Sequence, residues 1–160
     1  MSRQKSILFV CTGNTCRSPL AEGLFRAAVA GRDDFEVDSA GLTAYPGSPM
    51  SPDSEALLRE RGIEMNDFAS QPVSPELVER ATHVFAMTKA HLEALTDMFP
   101  DDEEKLFLVC EFSDIPGVGI AGDVPDPIGA GPDAYLKTAE TLERAIPTLI
   151  EFIDQTWQAD

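Results

Sequence analysis

"VCTGNTCRSPLAEG", residues 10–23, is the place where an apolar run ends and a helical pattern begins. Upstream, SILFV (residues 6–10) is continuously apolar after its serine, the pattern of a strand covered on both faces. Downstream, PLAEGLFRAAVAG (residues 19–31) places Leu20, Leu24 and Ala28 on one helical face. Pro19 suits the first turn of that helix and Gly31 suits its stop. A buried strand that hands directly to a helix is the first half of a βαβ unit, so this stretch predicts an α/β chain.

The alternation continues. Phe35–Asp38 reads as a short strand, followed by "SAG" and a Pro/Gly-rich loop over residues 45–52. DSEALLRERGI (residues 53–63) reads as a helix ended by Gly62, and SPELVERA (residues 74–81) as one capped by Ser74 with Pro75 just inside. THVFAM (residues 82–87) and EKLFLV (residues 104–109) read as further strands, the latter ending at Cys110, with the helix KAHLEALTDMF between them. Tyr135, Ala139, Leu142, Ile146, Leu149 and Ile153 recur at spacings of a long amphipathic helix starting near Asp133, and Pro147 within it predicts a kink or a new start. The expectation is one domain over residues 1–160, α/β and doubly wound. Its four-stranded parallel sheet is flanked by helices, with a phosphate-binding loop after the first strand. Ligands of such sheets sit beyond the carboxyl ends of the strands, where residues 11–18 fall.

Composition narrows the function classes. Lys plus Arg number 12 against 28 Asp plus Glu, a formal charge of −16, which makes nucleic acid and acidic membranes poor partners. No apolar run approaches the ~20 residues that span a bilayer. MSRQKSILFV is basic then apolar, but its apolar part is too short for a signal peptide, so the chain reads as cytoplasmic. Three cysteines at uneven spacing do not make a disulfide framework.

Gly13 and Asn14 both tolerate left-handed backbone angles, which allows the loop to curl its N–H groups into an anion nest. The helix start adds a positive dipole end, and Arg17 a fork that matches two phosphate oxygens. The field that attracts phosphate also favours thiolate over thiol at Cys11, with Ser18 placed to donate to it. A thiolate at the floor of a phosphate cradle is a nucleophile aimed at phosphorus. Competing readings are weaker. A nucleotide P-loop needs a second Gly and a Lys that are missing here. Zinc at Cys11 and Cys16 would need Cys110, His83 or His91, each isolated in sequence. A buried structural thiol explains Cys110 well, but it leaves Arg17 and Ser18 after Cys11 without a purpose.

The run Cys11-Thr12-Gly13-Asn14-Thr15-Cys16-Arg17-Ser18, followed by Pro19 and an Ala-Glu pair, resembles the Cys-x5-Arg-Ser loop of low-molecular-weight protein tyrosine phosphatases. The resemblance continues through "VDSAG" (residues 37–41), "RGI" (residues 61–63), THVFAMT (residues 82–88) and the Asp-Pro at Asp126, so it spans essentially the whole chain. It implies Cys11 as nucleophile, Arg17 as phosphate clamp and Asp126 as general acid, chosen from Asp123, Asp126 and Asp133 by its Asp126-Pro127 context. The remaining loop residues Thr12, Gly13, Asn14, Thr15, Cys16 and Ser18 would bind phosphate or support the loop, with Ser39 bracing it beside Asn14. It further implies a disulfide between Cys11 and Cys16 that shields the nucleophile under oxidation. Neither metal nor cofactor is called for. Both histidines read as structural or solvated, His83 in a strand and His91 in a helix.

The partners implied are phosphorylated proteins. Bacterial protein-arginine phosphatases resemble this chain more closely than tyrosine-specific members, which usually carry a larger aliphatic residue at the position of Thr15. A hydroxyl there can hydrogen-bond a guanidinium and offers a phenol less apolar surface. Ile128 stands where an aromatic residue often walls the substrate, with Tyr45 as an alternative wall. Protein phosphotyrosine is the second reading. Arsenate reduction is disfavoured because no relay pair of cysteines follows the central strand, and an inactive anion-binding module because nucleophile, Arg and acid are all present.

Overall fold

The computed structural model describes residues 4–157. Its elements are β1 (Lys5–Cys11), α1 (Arg17–Ala28), β2 (Phe35–Gly41), α2 (Pro52–Glu60), α3 (Pro75–Arg80), β3 (His83–Ala86), α4 (Lys89–Met98), β4 (Leu106–Leu108), β5 (Asp114–Ile115), β6 (Gly119–Ile120) and α5 (Pro132–Thr156). Four strands form one parallel sheet in the order β2-β1-β3-β4, and β5 and β6 form a small antiparallel hairpin. Among the described residues no helix is long and apolar enough to cross a membrane.

β1 lies inside the sheet and is apolar and buried from Ile7 to Cys11 because helices cover both of its faces there. Ile7, Phe9 and Cys11 belong to the core shared with Leu20, Leu24 and Phe25 of α1 and with Leu142, Leu149 and Ile153 of α5. Leu8 and Val10 face the opposite core, with Val78 of α3 and Leu95 of α4. In register, Phe9 pairs with Ser39 on one side and Phe85 on the other. Chain order runs outward from β1 to β2, returns past β1 to β3, and continues to β4. The switch point therefore opens at the carboxyl end of β1, where residues 11–18 leave the sheet.

Two features differ from the sequence reading. α5 runs unbroken through Pro147. Its buried row on both sides of the proline (Ala139, Leu142, Ala145, Leu149, Ile153) holds the axis while one backbone hydrogen bond is missing. β4 stops at Leu108: the Val109 N–H makes a last bond to the Ala86 carbonyl at 2.9 Å and the chain turns away, while the outward-facing Leu108 N–H of this edge strand is taken by the Glu111 carboxylate at 3.1 Å. Cys110 thus lies in the turn beyond the strand, fully buried, with its thiol pushed up to about 11 by that burial.

Candidate active site

Everything at the mouth of β1 depends on a close backbone approach. A Cβ on Gly41 would lie 2.6 Å from the Thr12 carbonyl oxygen and 2.8 Å from the Asn14 nitrogen, so only glycine lets the end of β2 support this loop. Gly41 is hydrogen-bonded on through Gln71 and Val73, and Leu42 and Thr43 donate their N–H groups to the Cys11 and Thr12 carbonyls. Asn14 takes the left-handed backbone expected of it, with φ of 56°.

The Asn14 side chain is fully buried and is held at both ends. Its Oδ1 accepts from the Gln71 N–H at 2.9 Å, and its Nδ2 donates to both Ser18 Oγ and Ser39 Oγ at 2.9 Å. Ser39 in turn donates to the buried Glu22 carboxylate at 2.5 Å, which also pairs with Arg26. The Ser18 hydroxyl proton then has two acceptors, Cys11 Sγ at 2.8 Å and the Ala40 carbonyl at 3.4 Å, of which the sulfur is the nearer, and the Asn14 N–H points at the same sulfur at 3.3 Å. A sulfur faced by two donors is equipped to carry negative charge.

Arg17 is almost wholly buried at the start of α1. It donates through Nη1 to the Val124 carbonyl at 3.1 Å, and its Nη2 lies 3.7 Å from Asp126 Oδ2. That contact brings the loop after β6 to the first loop. Asp126 is half exposed, with Oδ1 accepting from the Ile128 N–H at 3.1 Å. Asp123 sits one step back, its carboxylate capping the Lys89 N–H of α4, while Asp133 lies in the first turn of α5. Of the three aspartates, only Asp126 pairs with Arg17.

Cys16 is buried, with its sulfur 3.3 Å from the Tyr135 hydroxyl. Burial and that contact raise the phenol pKa. Thr15 is half-buried beside it. Ile128 (65% exposed) and Tyr45 (82% exposed) both stand out in solvent, so neither covers the core.

Three participants escaped the sequence reading. Glu22 is hidden on an otherwise apolar stretch of α1, where the buried partner Ser39 comes from a separate strand. Gln71 contributes through its backbone, which carries no residue-type signal. His91 lies on α4, but it is buried and its Nε2 lies 2.8 Å from Thr12 Oγ1. Burial and the nearby Arg17 lower its pKa against the opposing pull of Asp123 and Asp126.

The chain is similar to known proteins along most of its length. The sequence model of the family described as "Low molecular weight phosphotyrosine protein phosphatase" matches residues 6–159. The chain is 39% identical to a protein-arginine-phosphatase of Geobacillus stearothermophilus, covering 91% of this chain and 93% of that one. Among solved structures it is similar to the low molecular weight protein tyrosine phosphatase of T. tengcongensis, with TM-score 0.84 and 41% identity over 93% of this chain and 99% of that one. A further neighbour is an arginine phosphatase variant with its cysteine changed to serine and a phosphorylated active-site serine. It matches with TM-score 0.84 and 36% identity, covering 94% of this chain and 97% of that one.

Proposed function

The chain belongs to the low-molecular-weight phosphotyrosine protein phosphatase family, and from that premise we propose that it hydrolyses phosphoarginine on proteins through Cys11. The observation that carries the reading is the sulfur of Cys11 at the end of β1, with Ser18 and the Asn14 N–H on it and Arg17 beside Asp126.

In the first step the Cys11 thiolate attacks phosphorus in line, forming an S–P bond as the P–N bond breaks. Arg17 and the loop N–H groups hold the phosphoryl oxygens while charge is redistributed. Asp126, protonated, gives its proton to the departing guanidine nitrogen. In the second step Asp126, now a carboxylate, takes a proton from water as the water attacks phosphorus. The S–P bond breaks, and phosphate and the thiolate are released. Ser18 stabilises the thiolate at the start and end of the cycle.

The reading favours phosphoarginine over phosphotyrosine because Thr15 places a hydroxyl in this loop, and because the Geobacillus relative carries the name of an arginine phosphatase. Phosphotyrosine remains the second reading on the strength of the T. tengcongensis neighbour. Steady-state turnover of matched phosphoarginyl and phosphotyrosyl proteins separates them, with Cys11→Ser as the blank. The proposal expects higher kcat/KM on phosphoarginine and none in the blank. A preference for phosphotyrosine contradicts the substrate, and turnover by Cys11→Ser contradicts the chemistry.

A further inference from the structure

Thr12 is exposed at the rim of the loop, one residue after Cys11, yet its hydroxyl is held. The holder is His91, itself only 6% exposed, with Nε2 2.8 Å from Thr12 Oγ1. On the other side of the ring, Nδ1 is buried and has no hydrogen-bond partner among the described residues. A buried N–H without an acceptor is rare and costly, whereas an unused lone pair is better tolerated. The neutral ring therefore carries its proton on Nε2 and donates it to Thr12. That bond occupies one lone pair of the hydroxyl and leaves one lone pair and the proton at the rim.

His91 is well anchored for this task. Thr88 caps α4 by accepting from the His91 N–H at 3.1 Å. The junction of β3 and α4 also holds the acid-bearing loop, since the Lys89 N–H at the start of α4 donates to Asp123 at 2.9 Å and the Met87 carbonyl just before it accepts from the Val124 N–H at 2.9 Å. The β3–α4 junction and the first turn of α4 thus set the positions of both Thr12 and the segment that carries Asp126.

We propose that Thr12, oriented by His91, is a substrate-selecting hydroxyl that accepts a guanidinium N–H and donates to a phosphoryl oxygen of the same phosphoarginine. The inference rests on the phosphoarginine reading and deepens it. A phosphoguanidine presents N–H donors directly beside phosphoryl acceptors, which is the complement of one lone pair and one proton. A phosphorylated phenol offers the phosphoryl acceptors but no N–H beside them. Sites built to hydrogen-bond a polar group discriminate strongly against substrates that lack it. His91 acts as a positioning residue here: it removes the rotational freedom that an exposed threonine would otherwise keep.

The test is the ratio of kcat/KM on phosphoarginyl over phosphotyrosyl protein in the wild type, Thr12→Val, His91→Leu, His91→Gln and the double variant Thr12→Val/His91→Leu. The ratio is expected to fall at least tenfold in Thr12→Val and His91→Leu, to recover in His91→Gln, whose amide restores an N–H donor, and to fall no further in the double variant. Thr12→Val changes an exposed side chain, so it decides the matter even if His91→Leu fails to fold. An unchanged ratio in Thr12→Val, or a proportional fall on both substrates, overturns the inference while leaving the proposed function intact. A wild type without phosphoarginine turnover overturns the proposed function itself, and the inference with it.

Discussion

Ser18 shows how much of the site is settled by the direction of single hydrogen bonds. Its oxygen accepts from Asn14, and its proton goes to Cys11 at 2.8 Å in preference to the Ala40 carbonyl at 3.4 Å. A hydrogen bond to a charged group is worth about 1.5–3 kcal/mol, or roughly 10- to 100-fold in rate. Ser18→Ala is therefore expected to lower kcat by that range on any phosphorylated substrate, with KM little changed, as measured by steady-state kinetics. Glu22 acts further back: it can only accept while ionised, which obliges Ser39 to donate to it and to accept from Asn14. Cys11, Arg17 and Ser18 were legible because they share one short segment with a chemical logic of its own. Glu22 and His91 were not, since each gains its meaning only from a partner on another element. A helix periodicity that marks His91 as one more position on α4 says nothing of Thr12 across the fold.

At the scale of elements, two glycines make opposite predictions. A Cβ on Gly41 meets the backbone of Thr12 and Asn14, which cannot move without moving the loop. Gly41→Ala is expected to cost about 3 kcal/mol, lowering Tm by roughly 6–12 °C, and to reduce phosphatase activity at temperatures where the variant remains folded. The atoms nearest a Cβ on Gly23 are side-chain ends, Met65 Sδ at 2.8 Å and the Leu58 methyls at 2.9 Å. Those side chains can turn aside, and alanine gains about 1 kcal/mol of helix propensity over glycine, so Gly23→Ala is expected to stay within about 1 kcal/mol of the wild type in denaturant melts. The strand and helix order was readable because buried parallel strands and amphipathic helices carry different periodicities. β5 and β6 are two residues long each, too short for a periodicity, and the apolar run that continues through Val109 gives no sign that β4 ends at Leu108.

For the whole molecule, the balance of ionisable groups ties stability to pH through His83. It lies in β3 among Phe85, Phe107, Phe152 and Trp157, and burial together with the nearby Lys5 lowers its pKa to about 4. Below its ordinary value near 6.5 the unfolded chain takes up a proton that the folded one refuses. Stability from this group is thus complete above about pH 6.5 and declines as pH falls toward 4, by about 2 kcal/mol at pH 5. Denaturant melts at pH 7 and pH 5 are expected to show this loss in the wild type and a smaller loss in His83→Phe, which has no imidazole to titrate. Equal losses in the two proteins would remove His83 from the account.

The central claim, a covalent cysteinyl-phosphate at the end of β1, has a direct measurement: rapid acid quench of the enzyme during turnover of radiolabelled phosphoarginyl protein, followed by peptide mapping. The account predicts transient label on the peptide containing Cys11, absent from Cys11→Ala, and longer-lived in Asp126→Asn, where the base for hydrolysis is missing. Turnover with no label on that peptide, continuing in Cys11→Ala, would contradict it.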